Sequence, residues 1–397
     1  MSDVKILVQG ASIAGPAAAH WLTRHGAAVT VVERTPGLRP GGQAVDARGV
    51  SKEVIRRMGL DAAVRAACTD TAGAHQVDAD GNILETYRAD DHGGDGYIAE
   101  IEILRGDLAQ VLYDDTRDRV EYLFGDSIAE LGQDGEGVDV TFASGSRRRF
   151  DLVIGADGIH SALRAQVFGP RERFVRHLGL VLAYFSVPNE FGLDRWMIDH
   201  QEGGRSAGLR PIRDASTAIA MFSFPAGDSD VFTREPAAQK ALLRERMAGF
   251  GWETDRILAH LDDTPDFYLD QVAQVVMDRW WEARVGLLGD AGYSASPMSG
   301  GGTGLALVGA YLLAGELASA GWDPETGFAG YTDRMRDYVE ANQEMGRQHV
   351  LSLTSSEPPA EPSPEEMTAF MALIERAVGG PALPDYGLGD FSVPGTA

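Results

Sequence analysis

The sequence predicts an α/β protein: a Rossmann-like dinucleotide-binding domain, an inserted antiparallel-sheet module and a long C-terminal helix. Three observations predict it. Within the first 33 residues an apolar strand runs through a glycine-containing turn into an alanine-rich helix and on to a second strand. Between about Arg171 and Val275 the chain changes character, with strand-like pieces surrounding two helical segments. From Gly302 onward the pattern is helical.

Val4–Gln9 is an apolar run of strand length, Gly10–Gly15 the turn, and the helix continues to about His25. Ala28–Glu33 (AVTVVE) completes a βαβ start. Ser51–Met58 reads as a short helix closed by Gly59, because glycine adopts the left-handed conformation that ends a helix. Gln76–Glu85 reads as a hairpin around Asp80-Gly81, and Asp107–Arg117 as a helix. Ser127–Leu131, Val138–Phe142 and Arg147–Phe150 alternate as a small meander, and Asp151–Ala156 is a buried strand. Leu178–Val187, Ser206–Pro211, Thr217–Phe224 and Phe267–Val275 are the strands of the second module, with helices at Pro236–Ala248 and Thr254–Leu261. Helices follow at Gly302–Ala320 and Phe328–Leu353. A proline-rich patch, 357–364, separates them from a last helix, Glu365–Val378, and a loose tail. The expected division is a dinucleotide-binding domain from residues 1–70, 98–170 and 276–320. Residues 71–97 and 171–275 form the substrate module, and 321–397 the C-terminal helices and tail.

A chain of 397 residues fits two domains, or one domain with a large insertion. Its formal charge of −24 argues against a nucleic-acid or anionic-membrane partner, since neither counterion release nor headgroup attraction is available. The single cysteine, Cys68, excludes an internal disulfide framework and fits a reducing compartment. The start lacks the basic and apolar regions of a signal peptide, and no run of about 18 apolar residues occurs. A cytoplasmic monomer is expected. The nine histidines are scattered, with His20 and His25 read as surface residues of the first helix. No metal-ligand spacing and no Ser-His-Asp set stand out, so no metal is expected.

Gly10-x-Ser12-x-x-Gly15 matches the GxGxxG fingerprint with serine in the middle. The first glycine makes the tight turn, the last permits close helix–strand packing, and the helix N-terminus faces a pyrophosphate. Glu33, 23 residues after Gly10, closes the second strand where a carboxylate bonds ribose hydroxyls. This acid fits the adenosine ribose of either FAD or NAD. A second ligand loop lies at Arg284–Gly304: a buried strand, a turn carrying Asp290, then glycines opening a helix. Bare backbone N–H groups at the positive end of a helix dipole suit a flat heterocycle that becomes anionic on reduction. A flavin meets that description.

Three separated pieces carry a resemblance: Gly10-x-Ser-x-x-Gly15 with Glu33-Arg34, Asp151-Leu-Val-Ile-Gly-Ala-Asp-Gly-Ile-His-Ser-Ala-Leu-Arg164, and Gly289-Asp-Ala…Pro297…Gly300-x-Gly302. Together they resemble single-component, FAD-dependent aromatic hydroxylases of the p-hydroxybenzoate hydroxylase type (group A flavin monooxygenases), and most closely the tetracycline-inactivating flavin monooxygenases. The resemblance runs to about Gln348 and covers the 171–275 module in outline only. It implies a glutathione reductase-type FAD-binding fold, non-covalent FAD, and NADPH or NADH as reductant. The implied reaction is hydroxylation of an aromatic or polycyclic small molecule with O₂ through a C4a-hydroperoxyflavin.

The resemblance also implies roles. Gly10, Ser12, Ile13, Ala14 and Gly15 hold the pyrophosphate, and Glu33 with Arg34 flanks the adenosine ribose. Arg105 and Asp46 approach FAD, Arg39 meets the nicotinamide cofactor, and Asp157 joins the pyrophosphate region to the nicotinamide-docking surface. Gly289 and Asp290 bond ribitol, while Pro297, Gly300, Gly301, Gly302, Thr303 and Gly304 border the isoalloxazine, the first three nearest the chemistry. Arg210 and Phe222 are the residues singled out for substrate. The chain departs from the family pattern at Tyr293 (usually histidine), Gly301 (usually glutamine) and Gly304 (usually asparagine), and extra glycine there is expected to loosen the loop. Two other readings fit the same fold: a flavin reductase or dehydrogenase that inserts no oxygen, and a ligand-sequestering flavoprotein without turnover.

Overall fold

A computed structural model describes residues 4–39, 41–227, 235–355 and 363–388. Residues 1–3, most of the proline-rich patch and the tail beyond 388 lie outside the described residues.

Two large sheets organise the chain. The first has the order β17 (Trp281–Glu282), β18 (Val285–Leu287), β11 (Leu152–Gly155), β1 (Lys5–Gln9), β2 (Ala28–Glu33), β7 (Glu121–Phe124), parallel throughout except β17. Central β1 is flanked on both sides, with Ile6 opposite Leu152 and Val29. Both faces are covered, which is why these strands read as continuous apolar runs. One face packs α1 (Ala14–Arg24) and α9 (Gly302–Ser319). The other takes the meander β8 (Ile128–Gln133), β9 (Val138–Phe142), β10 (Arg147–Phe150), with Leu7, Val153 and Val285 against Val138 and Phe142. The remaining pieces of this half are α2 (Val50–Met58), α3 (Asp61–Ala66), α4 (Arg105–Thr116), α5 (Ala162–Val167) and the two-stranded β3 (Ala44–Ala47) with β6 (Ile101–Leu104). Gly59 ends α2 in the left-handed conformation, φ 77°.

The second sheet has the order β16 (Tyr268–Val275), β12 (Val175–Pro188), β15 (Thr217–Pro225), β14 (Arg205–Pro211), β13 (Trp196–Glu202), β4 (Gly73–Val77), β5 (Ile83–Arg88). The β4–β5 hairpin is added at the edge through a parallel pairing with β13, Gly73 opposite Trp196, 123 positions apart in sequence. Strand β13 was not legible beforehand, because Asp199, His200 and Gln201 hide its apolar alternation. The pleat sorts side chains strictly. Phe185, Leu209, Ala220, Phe222 and Phe224 point to the outer face, under α6 (Pro236–Met247) and α7 (Thr254–Leu258). Met197, Asp199, Arg210, Met221, Tyr184, Tyr268 and Asp270 share the inner face, toward the first sheet.

Helices α8 (Asp290–Tyr293), α10 (Pro324–Thr354) and α11 (Pro364–Gly379) complete the structure. Asp323 caps α10 by accepting from the Thr326 N–H, with Pro324 in the first turn. Ser363 and Glu366 form a capping box on α11. α9 is apolar enough to cross a membrane by length and composition, but most of it is buried in the core, between α1 and α10. His20 corrects the surface reading: it is 2% exposed, its Nδ1 lies 2.6 Å from Asp115, and burial lowers its pKa. His25 is half-buried.

Phe328 of α10 lies on bare Gly286 of β18, where an added Cβ would come within 2.3 Å of the ring. Phe328 is fully buried. Phe328→Ala should therefore cost about 3–5 kcal/mol in a denaturant titration followed by far-UV circular dichroism.

Candidate cofactor and substrate site

Three turns from distant parts of the sequence meet at the carboxyl ends of the first sheet. In the first, Gly10 has φ 111°, and a Cβ there would stand 2.3 Å from the Ala156 carbonyl oxygen. Only glycine allows this approach of β1 to β11. Gly15 is equally constrained by the Gly10 carbonyl. Glu33 accepts from the Ala11 N–H at 2.9 Å and from the Thr35 N–H and hydroxyl at 3.0 Å. Burial alone would raise the Glu33 carboxyl, but these bonds outweigh it and hold it below its usual range. Arg105 donates to the Ser12 hydroxyl at 2.9 Å. Ser12, Glu33, Arg39 and Arg105 thus line one narrow cleft. Ile13 and Ala14 begin α1, while Arg34 points to solvent.

In the second turn, Asp157 accepts from Gln9 Nε2, the Ser161 hydroxyl and the Leu163 N–H. Its carboxylate is occupied in pinning the turn to β1 and to the start of α5. Arg164, absent from the sequence-based selection, joins this turn to the third. It is 1% exposed and donates to the Ala291 and Ile159 carbonyls, each at 2.7 Å. An arginine three residues after a helix-capping serine was the available signal.

In the third turn Gly289, φ 63°, sits against Ala14 of α1, which brings Asp290 to the α1 end of the site. Asp290 is reached by solvent yet surrounded closely enough that burial raises its carboxyl, countered in part by Ser294. Such a group lies on the wall of a cleft. Ser296, buried and at φ 77°, ψ 156°, occupies a region that costs a non-glycine residue about 1–3 kcal/mol. Pro297 then opens a short 3-10 turn leading to Gly300 at φ 66°.

The glycines of this loop divide by direction. Gly300 and Gly302 have open space where a side chain would stand. A Cβ at Gly301 would fall 1.7 Å from Asn342 Oδ1, and one at Gly304 would fall 2.5 Å from the Tyr338 hydroxyl. Both partners are buried residues of α10. The expected loosening is therefore corrected: side chains of α10 fill the space that the missing loop side chains leave. Gly346 packs against Ala295 and Ser296 in the same way, and Gln343 donates to the Val275 carbonyl. Tyr293 points away from the loop into the core, where Tyr331 donates to its hydroxyl at 2.6 Å and Gly309 leaves it room. Thr303 is buried.

The inner face of the second sheet closes over this loop. Met298 packs with Leu182 and Val272, and His160 meets Asp270 at 2.8 Å. Arg210 forms an ion pair with Glu102 of β6, which also accepts from the Thr69 and Thr71 hydroxyls at 2.6 Å. Burial would raise Glu102, but Arg210 and the two hydroxyls hold it down. Asp46 pairs with Arg48 at 2.8 Å, and burial still lifts it. Tyr268 is 49% exposed but crowded enough for burial to raise its phenol, and Tyr184 rises to about 12. Phe222 is not brought to this cleft. It lies 1% exposed on the outer face, stacked on Phe185.

This donor set fits FAD. Glu33 offers acceptors for a ribose, Ser12 and Arg105 line the same cleft at the start of α1, Asp290 follows Gly289 where it touches Ala14, and Gly300 and Gly302 leave backbone open for a flat ring.

The chain matches the FAD binding domain family over residues 3–345. A flavin-dependent monooxygenase from an unknown prokaryotic organism is 39% identical over 386 residues, spanning 96% of this chain and 99% of its relative. An uncharacterized Mycobacterium tuberculosis protein is 46% identical over 382 residues, 96% of this chain and 99% of that one. The crystal structure of the tetracycline destructase Tet(55) superposes with a TM-score of 0.86 at 38% identity, covering 97% of this chain and 100% of that one. Fold and site define an FAD-dependent oxidoreductase. The chain belongs to the FAD binding domain family, among its flavin-dependent monooxygenases.

Gly301→Ala should force Asn342 aside. The expected result is a rise of about tenfold or more in the FAD dissociation constant, measured by flavin fluorescence on apoprotein, since overpacking a fixed site costs about 1–3 kcal/mol. Adding Asn342→Gly to that variant should recover most of the affinity.

Proposed function

We propose that this monooxygenase uses NADPH or NADH and O₂ to hydroxylate an aromatic or polycyclic small molecule. One observation carries the reading: Gly300 and Gly302 have open space where a side chain would stand, and the sheet face that packs on Met298 of the same loop carries Arg210, Met197, Met221 and tyrosines. Apolar and aromatic walls with a few polar groups suit a flat, oxygenated ring system. The likeness to a tetracycline destructase supports a polycyclic substrate.

In this reading Gly10, Ser12, Gly15 and Arg105 receive the pyrophosphate, and Glu33 receives the adenosine ribose. Asp290 bonds the ribitol. Gly300 and Gly302 leave the isoalloxazine a bare backbone edge at the positive end of α9, which stabilises negative charge on the reduced ring. Bound FAD supplies reduction by nicotinamide and activation of O₂. The protein orients the substrate and excludes water: Met298, Leu182 and Val272 seal one side of the cleft. Arg39, exposed at the cleft mouth, meets the nicotinamide cofactor. The protein acts as a cytoplasmic monomer.

The purified protein should bind FAD and turn yellow. A polycyclic phenol such as tetracycline should accelerate NAD(P)H oxidation, and ¹⁸O from ¹⁸O₂ should appear in the product by mass spectrometry. Stimulated oxidation with no label in any product would favour the reductase reading. Tight ligand binding with no stimulation would favour the sequestering one. Glu33→Gln weakens the acceptor pair on the ribose and should raise the FAD dissociation constant about tenfold, from the loss of charge-assisted hydrogen bonds worth about 1.5–3 kcal/mol.

A further inference from the structure

We propose that Asp199 and Arg210 form the substrate's polar anchor, Asp199 accepting a hydrogen bond from a phenolic or enolic hydroxyl and Arg210 Nε donating to the same oxygen. The proposal rests on the hydroxylase reading above and adds the group by which the substrate is recognised.

The carboxylates around the cleft differ in one respect. Glu102 has Thr69, Thr71 and Arg210; Asp46 has Arg48; Asp270 has His160 and the Gln271 N–H; Asp290 has Ser294. Asp199 is 7% exposed and, among the described residues, has no hydrogen-bond donor. Its Oδ1 is buried and unpartnered. A buried carboxylate without a donor is costly, and such groups persist where a ligand completes them. Arg210 has a complementary orphan: Nη1 is taken by Glu102, but Nε is buried and unpartnered.

The register places the two orphans together. Asp199 of β13 lies opposite Gly208 of β14, so Arg210 is its diagonal neighbour on the same inner face. Diagonal positions stand about 7–8 Å apart at the backbone, within the reach of an arginine. Gly208 presents no side chain between them. Met197 and Met221 flank the pair, and the Tyr87 and Tyr97 rings, 4.7 Å apart and tilted 33° to one another, stand beside it. A single oxygen that both donates and accepts satisfies Asp199 and Arg210 at once. An ammonium group satisfies only the first.

Burial lifts Asp199 to about 6, against the pull of Arg210 and His200. The other ionisable groups facing it are Tyr87, Tyr97 and, across Arg210, Glu102. Above about pH 6 the carboxylate accepts strongly from the ligand; below it the protonated acid keeps only its neutral carbonyl, a weaker acceptor. A raised pKa in the fold means that Asp199 favours folding at low pH and opposes it as pH rises through about 6.

The test uses holoenzyme titrated with 1,8-dihydroxyanthraquinone and with 1,8-dimethoxyanthraquinone, read by perturbation of the flavin spectrum at pH 5 and pH 8. Wild type should prefer the dihydroxy compound at least tenfold at pH 8 and less at pH 5. Asp199→Leu should abolish the preference, keep its FAD, and unfold at an equal or higher temperature at pH 8. Asp199→Asn should retain a part of the preference without its pH dependence. A purely structural aspartate predicts the reverse, a lower melting temperature with ligand preference intact, and that result would overturn the proposal. So would a preference for an amine-bearing analogue over the hydroxyl compound. If wild type binds neither anthraquinone and no polycyclic phenol accelerates NAD(P)H oxidation, the hydroxylase reading fails and the anchor fails with it.

Discussion

The site depends on one buried guanidinium. Arg164 donates to the Ile159 and Ala291 carbonyls, and so fixes the turn after β11 to the turn after β18. Its charge is held inside the protein at a cost, as burial lowers its pKa, and the field of Asp157 offsets part of that cost. The first of these turns has no regular secondary structure, and the second has only the single turn of α8. A fixed hydrogen-bond donor between two carbonyls supplies the rigidity that a helix or strand would give elsewhere.

The glycine loop that continues the third turn is held in a second way, by α10. One stripe of α10, Tyr331, Met335, Tyr338, Asn342 and Gly346, runs along residues 293–309 at helical spacing. Glycines on the loop receive side chains from the helix, and a glycine on the helix receives backbone from the loop. Space is conserved while its owner changes. The loop therefore combines an open edge at Gly300 and Gly302 with a packed back at Gly301 and Gly304.

Across the groove, the second sheet separates its duties by face. The outer face is aromatic and sealed by α6 and α7, and the inner face is mixed and lines the cleft. This explains why Phe222 and Arg210, both on strands and both legible as candidates, end on opposite sides. One residue of phase decides between core and cleft.

The βαβ start, the two strand-end carboxylates and the long apolar helix could be read from the sequence, because each rests on local spacing and short-range backbone sterics. Glu33 and Asp157 are in this class by position, each at the end of a legible strand, and each is also held by its local turn: Glu33 by Thr35, Asp157 by Ser161 and Leu163. The sequence alone did not show that Arg164 bridges two turns 127 positions apart, that Asn342 and Tyr338 occupy the room left by Gly301 and Gly304, or that Asp199 lacks a donor. It also placed His20 at the surface, since a helix periodicity does not reveal which second helix will cover it. These properties are relations between elements far apart in the chain, and packing density and hydrogen-bond satisfaction decide them only once the two sheets and α10 have closed on one another.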